Sequence, residues 1–222
     1  MSNINVETWN SVYSQGRSLL QYPDEVIVSY LAKNRGVFKK GLDIACGAGR
    51  HTFLMNEFQI EAYGLDSSES SIAFAQEKVL REGKQGCYFY NKKVQEIEFD
   101  NESFDLIIIW GLIHYLDDSD QHKLLANVKR ILKTGGTLLC TLRSTLDSRL
   151  NNSKEIEPNR YLVNYFDDNT QSPKQTLMYF WDKQGVSNFF SEFQNVTIGH
   201  RIIEPLGLLG NKTGHWLISA QK

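Results

Sequence analysis

Between Gly41 and Arg143, short apolar runs alternate with longer amphipathic stretches, and few residues separate one from the next. The runs are GLDIA, IEAYGLD, GCYFYN, FDLIIIWG and TLLCTLR. Strands joined by crossover helices lie parallel, and a parallel sheet needs helices over both faces because neither face meets water. The unbroken branched run of FDLIIIWG fits a strand buried on both sides. Alternation of this kind excludes a helical bundle and an all-β sandwich for this part of the chain.

The intervening stretches carry helix signals. RHTFLMNEF places Phe53, Leu54 and Phe58 at helical spacing. SSESSIAFAQEKVLREG opens on serines and Glu69 and ends before Gly83, a cap at one end and a stop at the other. DDSDQHKLLANVKRILKTGG opens on acids and closes on Lys129, Arg130, Lys133 and a Gly-Gly stop. From Ser144 to about Pro173 the pattern fades into polar residues, and a helix is expected through QTLMYFWDKQGVSNFFSEF. Two late strands, NVTIGHRIIE and GHWLISAQ, flank a glycine-rich turn region and so form an antiparallel hairpin. The first 35 residues read as helical, with YPDEV opening a second helix and Pro23 in its first turn.

Charge excludes some partners. The 24 basic and 26 acidic residues of this 222-residue chain nearly cancel, so no global field favours nucleic acid or an anionic membrane. The longest apolar run, LIIIWGLIHYL, is far below the ~20 residues that span a bilayer. The three cysteines, Cys46, Cys87 and Cys140, have neither metal-site spacing nor a disulfide pattern, which fits a reducing cytoplasm. No secretory leader is read at the N-terminus.

The loop GLDIACGAGR concentrates backbone freedom where the first strand meets the next helix. Glycine costs conformational entropy, so Gly47 and Gly49 imply either a tight turn or a ligand close to the backbone. In open parallel sheets, ligands bind beyond the carboxyl ends of the strands near the point where strand order reverses, with helix N-termini aimed at them. Asp66 closes the second strand about 20 residues on, where a carboxylate can accept both hydroxyls of a ribose. A dinucleotide fold wants a third small residue where Thr52 stands, which counts against a nicotinamide cofactor. No Gly-Lys-Ser/Thr follows, so a P-loop is excluded.

LDIACGAGR, YGLDSSESSI, FDLIIIWGLIHYL and LKTGG resemble, in order, the motifs of the class I S-adenosylmethionine-dependent methyltransferases. The resemblance runs from Gly41 to about Thr141, and CGAGRHT leans toward the small-molecule members, those of tellurite-resistance type among them. It implies an α/β three-layer sandwich: a Rossmann-like, mostly parallel seven-stranded sheet with an antiparallel C-terminal hairpin and helices on both faces. The chain would be a single domain over 1–222. Residues 1–35 would be a helical lid, 36–143 the cofactor core, 144–192 a variable substrate-side segment and helix, and 193–222 the hairpin.

The resemblance also implies roles. Ala45, Gly47 and Gly49 would line the methionine end of S-adenosyl-L-methionine through their backbone. Asp43 would order the loop and offset the cofactor's ammonium and sulfonium charge. Asp66 would hold the ribose with Ser67 beside the adenine, Val94 and Gln95 would edge the base, and Trp110 would offer its carbonyl to the amino group. Lys93 stands where many relatives have an acid touching the adenine amine. Trp9, Tyr13 and Arg17 recur at four-residue intervals; that helical face either packs its rings on the sheet or, on a lid, brings Tyr13 and Arg17 to the methionine carboxylate.

Methyl transfer is an in-line displacement from an activated donor, so alignment and exclusion of water dominate and no catalytic triad is expected. His114 and Tyr115 follow the fourth strand, where an acceptor would meet the methyl group. His114 is the candidate general base or a histidine bonded within its loop, and Tyr115 is a pocket wall. Arg143, ending the fifth strand, either pairs with an anionic substrate or is solvated. Cys46 reads as a small buried hydrophobe, and Tyr179, Phe180 and Trp181 as core. The expected partner is a small-molecule acceptor without nucleic acid or membrane, the chain being a monomer or homodimer. A protein or RNA methyltransferase and a non-catalytic binding protein stay open as alternatives.

Overall fold

A computed structural model describes residues 20–167 and 172–222. Of the expected helical lid over 1–35, residues 1–19, with Trp9, Tyr13 and Arg17, lie outside the described residues. In chain order the strands are β1 (Lys40–Ile44), β2 (Glu61–Asp66), β3 (Cys87–Asn91), β4 (Phe104–Ile109), β5 (Leu132–Arg143), β6 (Ser153–Glu157), β7 (Arg160–Asp167), β8 (Ser172–Tyr179), β9 (Gln194–Ile203) and β10 (Thr213–Gln221). The helices are α1 (Glu25–Lys33), α2 (Arg50–Glu57), α3 (Glu69–Glu82), α4 (Asp118–Ile131) and α5 (Lys183–Phe189).

A seven-stranded sheet runs in the order β3-β2-β1-β4-β5-β10-β9. Strands β1 to β5 pair parallel to their neighbours, while β10 is antiparallel to both β5 and β9. Strand order reverses between β1 and β4, which opens a crevice beyond their carboxyl ends.

The period of two along β4 builds both cores. Leu106 and Ile108 face one way, into a cluster with Ile27 and Leu31 of α1, Phe53 and Met55 of α2, and Ile72 and Ala75 of α3. Ile107 and Ile109 face the other way, among Leu124, Val128 and Ile131 of α4 and Val186 of α5. Each such side chain contributes roughly 1.5–3 kcal/mol on burial, so the branched run in β4 ties the two helical layers together.

The sequence reading needs correction in four places. The expected helix through QTLMYFWDKQGVSNFFSEF is instead a strand followed by a short helix. Residues Arg160 to Asp167 pair with β8 in antiparallel register, and Asp182 starts α5 by accepting from the Gly185 N–H at 2.7 Å. The polar segment after Ser144 holds a 3₁₀ turn (Ser148–Asn152) and a second, three-stranded sheet in the order β6-β7-β8. Its edge strand β6, SKEIE, carries too few apolar residues to show an alternating pattern. Helix α4 ends at Ile131, before the Gly-Gly pair, because Leu132 already pairs with Phe104 and the Gly135 N–H donates to the Lys222 carbonyl. Pro23 precedes α1 rather than entering it, since the capping side chain is Asp24, which accepts from the Val26 N–H at 3.0 Å.

Candidate active site

The loop after β1 bends through left-handed backbone three times: Ala45 (φ 60°), Gly47 (φ 54°) and Gly49 (φ 82°). Only glycine fits Gly49, because a Cβ there would lie 2.5 Å from the Phe89 ring as well as in a strained conformation. Gly49 is the N-cap of α2, with no side chain satisfying the first turn. The other described α-helices all have side-chain caps, from Asp24, Ser68, Asp117 and Asp182. The N-terminus of α2 therefore stays available to a polar group in the crevice.

Asp66 is fixed by this loop. Its Oδ2 accepts the Gly47 N–H at 2.9 Å and its Oδ1 the Ser68 N–H at 2.8 Å. Each oxygen keeps lone pairs for further donors. Burial raises its pKa, opposed by these backbone donors. The Gly47 N–H thus orients the carboxylate, so of its backbone groups that one is already committed. Ser67, the next residue, is exposed beside it.

Asp43 is 1% exposed and accepts the Thr52 hydroxyl at 3.0 Å, fastening β1 to α2. Burial pushes its carboxyl up to about 7, against the pull of Thr52 and Arg50. A positively charged ligand group in the crevice would favour its ionised form. Thr52 fills the place where a third small residue was wanted, and its hydroxyl would lie 2.8 Å from a Cβ on Gly64.

Val94 and Gln95 form a 3₁₀ turn after β3, and Gln95 is held by donating to Asp120 at 2.6 Å. Lys93 is exposed ahead of that turn. Trp110, just past β4, donates its indole N–H to Asp24 at 3.1 Å. Asp24 also takes Arg201 of β9 in a bidentate pair at 3.0 and 2.7 Å, and its own N–H donates to His51 Nε2 at 3.2 Å. This knot of Asp24, Trp110, Arg201 and His51 joins α1, α2, β4 and β9 across the crevice, and nothing in the sequence pattern announces it. Cys46 is buried and its thiol pushed up by burial and by Asp43 and Asp66, which makes it an inert packing residue.

The other side of the crevice is built differently. His114 is 1% exposed in the 3₁₀ turn Ile113–Tyr115, with neither ring nitrogen partnered among the described residues. It is therefore not the histidine bonded within its own loop. Burial and nearby Arg143 press its pKa well below the usual imidazole value, so it is neutral and a weak base. The ring centroid of Tyr115 lies 4.3 Å from that of His114, and Tyr115 packs on a cluster of Val163 and Met178 of the small sheet with Phe180 just past β8. Arg143 is buried and donates to Asp147 at 2.9 Å, so the solvated alternative is set aside. Tyr179, Phe180 and Trp181 are core, as expected.

Sheet order, glycine loop and strand-end carboxylate define a class: an α/β domain that takes a nucleoside cofactor at its switch point. Residues 42–136 match the family described as Methyltransferase domain. The demethylmenaquinone methyltransferase of Lactococcus lactis subsp. lactis is 32% identical over 103 residues, covering 45% of this chain and 40% of that protein. Burkholderia thailandensis 1,6-didemethyltoxoflavin-N1-methyltransferase, solved with 1,6-didemethyltoxoflavin and S-adenosylhomocysteine, superposes with a TM-score of 0.69 at 15% identity, over 100% of this chain and 91% of that one. TehB from Haemophilus influenzae gives 0.66 at 15% identity, over 96% and 67%. The family match takes in residues 42–136, less than half of the chain, and the stretch shared with the Lactococcus relative spans less than half of that protein's length. No helix among the described residues is long and apolar enough to cross a membrane.

The residues present fit S-adenosylmethionine. An uncapped helix N-terminus, a loop that excludes a Cβ at Gly49, and a preset carboxylate at Asp66 are complementary to a zwitterionic head and a ribose.

Proposed function

We propose that the protein transfers a methyl group from S-adenosylmethionine to a small-molecule acceptor. Asp66 takes the ribose hydroxyls. Ala45, Gly47, Gly49 and the start of α2 surround the methionine end, with Asp43 supplying negative charge beneath it. Ser67, Val94, Gln95 and Trp110 border the base. When bound, the cofactor would supply an electrophilic methyl group on sulfonium sulfur, open to an acceptor lone pair in line with the C–S bond that breaks to leave the thioether, and any proton on the accepting atom would reach solvent as the product leaves. His114, Tyr115 and Arg143 hold the acceptor in line and away from water.

The enclosure of His114 carries the small-molecule reading. A side chain 1% exposed, beneath a turn packed on the β6-β7-β8 sheet, suits an acceptor that leaves solvent entirely. A protein or RNA surface presents its reacting atom on a body too large to enter. The small heterocycle named for the Burkholderia neighbour is in keeping with this. The test is S-adenosylhomocysteine formation across a panel of small acceptors, preceded by mass spectrometry of any co-purified ligand. Turnover with a small acceptor supports the reading, and turnover confined to protein or RNA overturns it.

A further inference from the structure

Three buried polar atoms of the acceptor side have no partner among the described residues: Nδ1 and Nε2 of His114, and Nε of Arg143. Native proteins rarely leave such atoms unsatisfied, because they lose water and gain nothing in return. They belong to one cluster. Arg143 closes β5, His215 stands opposite it in the β10 register, and the ring centroids of His114 and His215 are 6.3 Å apart.

The charge of this cluster does not balance. Arg143 Nη1 donates to Asp147 Oδ2 at 2.9 Å, but that oxygen also accepts the Gly214 N–H at 3.0 Å and lies 3.5 Å from Arg149 Nη1. The other oxygen, Oδ1, accepts the Arg149 N–H at 2.9 Å. One carboxylate thus serves two guanidiniums, the buried one of Arg143 and the more exposed one of Arg149, so the cluster is net positive. Both imidazoles are neutral: burial and Arg143 lower His114 well below its ordinary value and bring His215 down to about 3. A cationic acceptor would be repelled here, and an apolar one would leave all three atoms unpaired. A metal finds no group of ligands among the described residues.

We propose that the acceptor carries a single negative charge on oxygen, a carboxylate, held by the Nε–H of Arg143 and an N–H of neutral His114, with His215 beside it. This names the substrate class of the site assigned above and rests on that assignment. One open guanidinium N–H and one imidazole N–H, in a cluster of net positive charge, match the two oxygens of a monoanion. His114 keeps its second nitrogen as an acceptor for a hydroxyl or amine on the same molecule.

The test uses the full-length protein, with and without saturating S-adenosylhomocysteine, and calorimetric titration of acetate and benzoate against their neutral amides, acetamide and benzamide. The expected result is at least tenfold tighter binding of the carboxylate in one or both pairs. In His114→Phe this preference falls tenfold or more while S-adenosylhomocysteine affinity is unchanged. The variant keeps ring volume and removes two unpaired nitrogens, so its melting temperature without ligand should equal or exceed the parent's; a merely structural His114 would lower it. No preference for the carboxylate in either pair, or a preference unaltered in His114→Phe, overturns the proposal. Should that variant fail to fold, the comparison in the parent decides alone. Failure of S-adenosylhomocysteine itself to bind would instead strike at the function proposed above.

Discussion

The two sides of the crevice hold their buried carboxylates and imidazoles differently, although Arg201 Nε in the knot is also unpartnered among the described residues. On the cofactor side, buried carboxylates find their partners inside the chain: Asp66 takes two backbone N–H groups and Asp43 a hydroxyl. On the proposed acceptor side, His114 and the Nε of Arg143 are buried without partners among the described residues. The first arrangement is a finished mould whose ligand adds contacts to groups already placed. On the proposal above, the second is incomplete and would be more stable with an acceptor in it. A shared donor and a variable acceptor would produce this division, one half fixed by backbone and the other by side chains.

Two glycines with the same backbone angle sharpen the contrast. Gly49 and Gly111 both have φ 82°, but a Cβ at Gly49 would lie 2.5 Å from Phe89 while one at Gly111 meets nothing within 4 Å. Gly49→Ala should destabilise by about 2–4 kcal/mol, Gly111→Ala by about 1 kcal/mol. Denaturant unfolding measures both, and equal losses would mean that the loop is no tighter on the cofactor side.

A comparable effect should follow pH. The Asp43 carboxyl stays protonated in the folded chain to about pH 7, whereas unfolded it ionises near pH ~4. Between these values the folded state holds more protons, so this group's contribution makes stability fall as pH rises from about 4 to 7. Asp43→Asn keeps an acceptor for Thr52 and removes the penalty. It should match the parent near pH 4 and exceed it by about 2–4 kcal/mol at pH 8. In the same variant S-adenosylmethionine should bind more weakly at pH 8. A stability difference independent of pH would break this account of the cofactor side.

The smallest effect is expected at Lys93. It is exposed, outside the knot and the loop, so Lys93→Ala should change cofactor affinity by less than ~1 kcal/mol. A larger loss by calorimetry would move Lys93 into the site and extend the mould beyond β1 and β2.

Legibility in the sequence follows the same division. The cofactor side was readable because its devices are local: an apolar run, glycines at a turn, and an acid at the next strand end. The acceptor side depends on residues far apart in the chain, such as Arg143 opposite His215 and Tyr115 against Met178. Polar β6 hid the edge of the small sheet, and QTLMYF read as helix because its alternation, with Thr176 and Met178 inward, is too short to outweigh the neighbouring apolar residues. Asp24 looked like a helix cap and is one; its second task of gathering Trp110 and Arg201 is tertiary and has no periodic signature.

The most direct test is calorimetry of S-adenosylhomocysteine binding to the parent and to Asp66→Ala. The carboxylate held by Gly47 and Ser68 is the group on which the cofactor reading turns. The account predicts one site in the parent and an affinity ten- to hundredfold lower in the variant, the loss of about 1.5–3 kcal/mol expected for a charged, bidentate acceptor. Unchanged affinity in Asp66→Ala, or no binding to the parent, would contradict it.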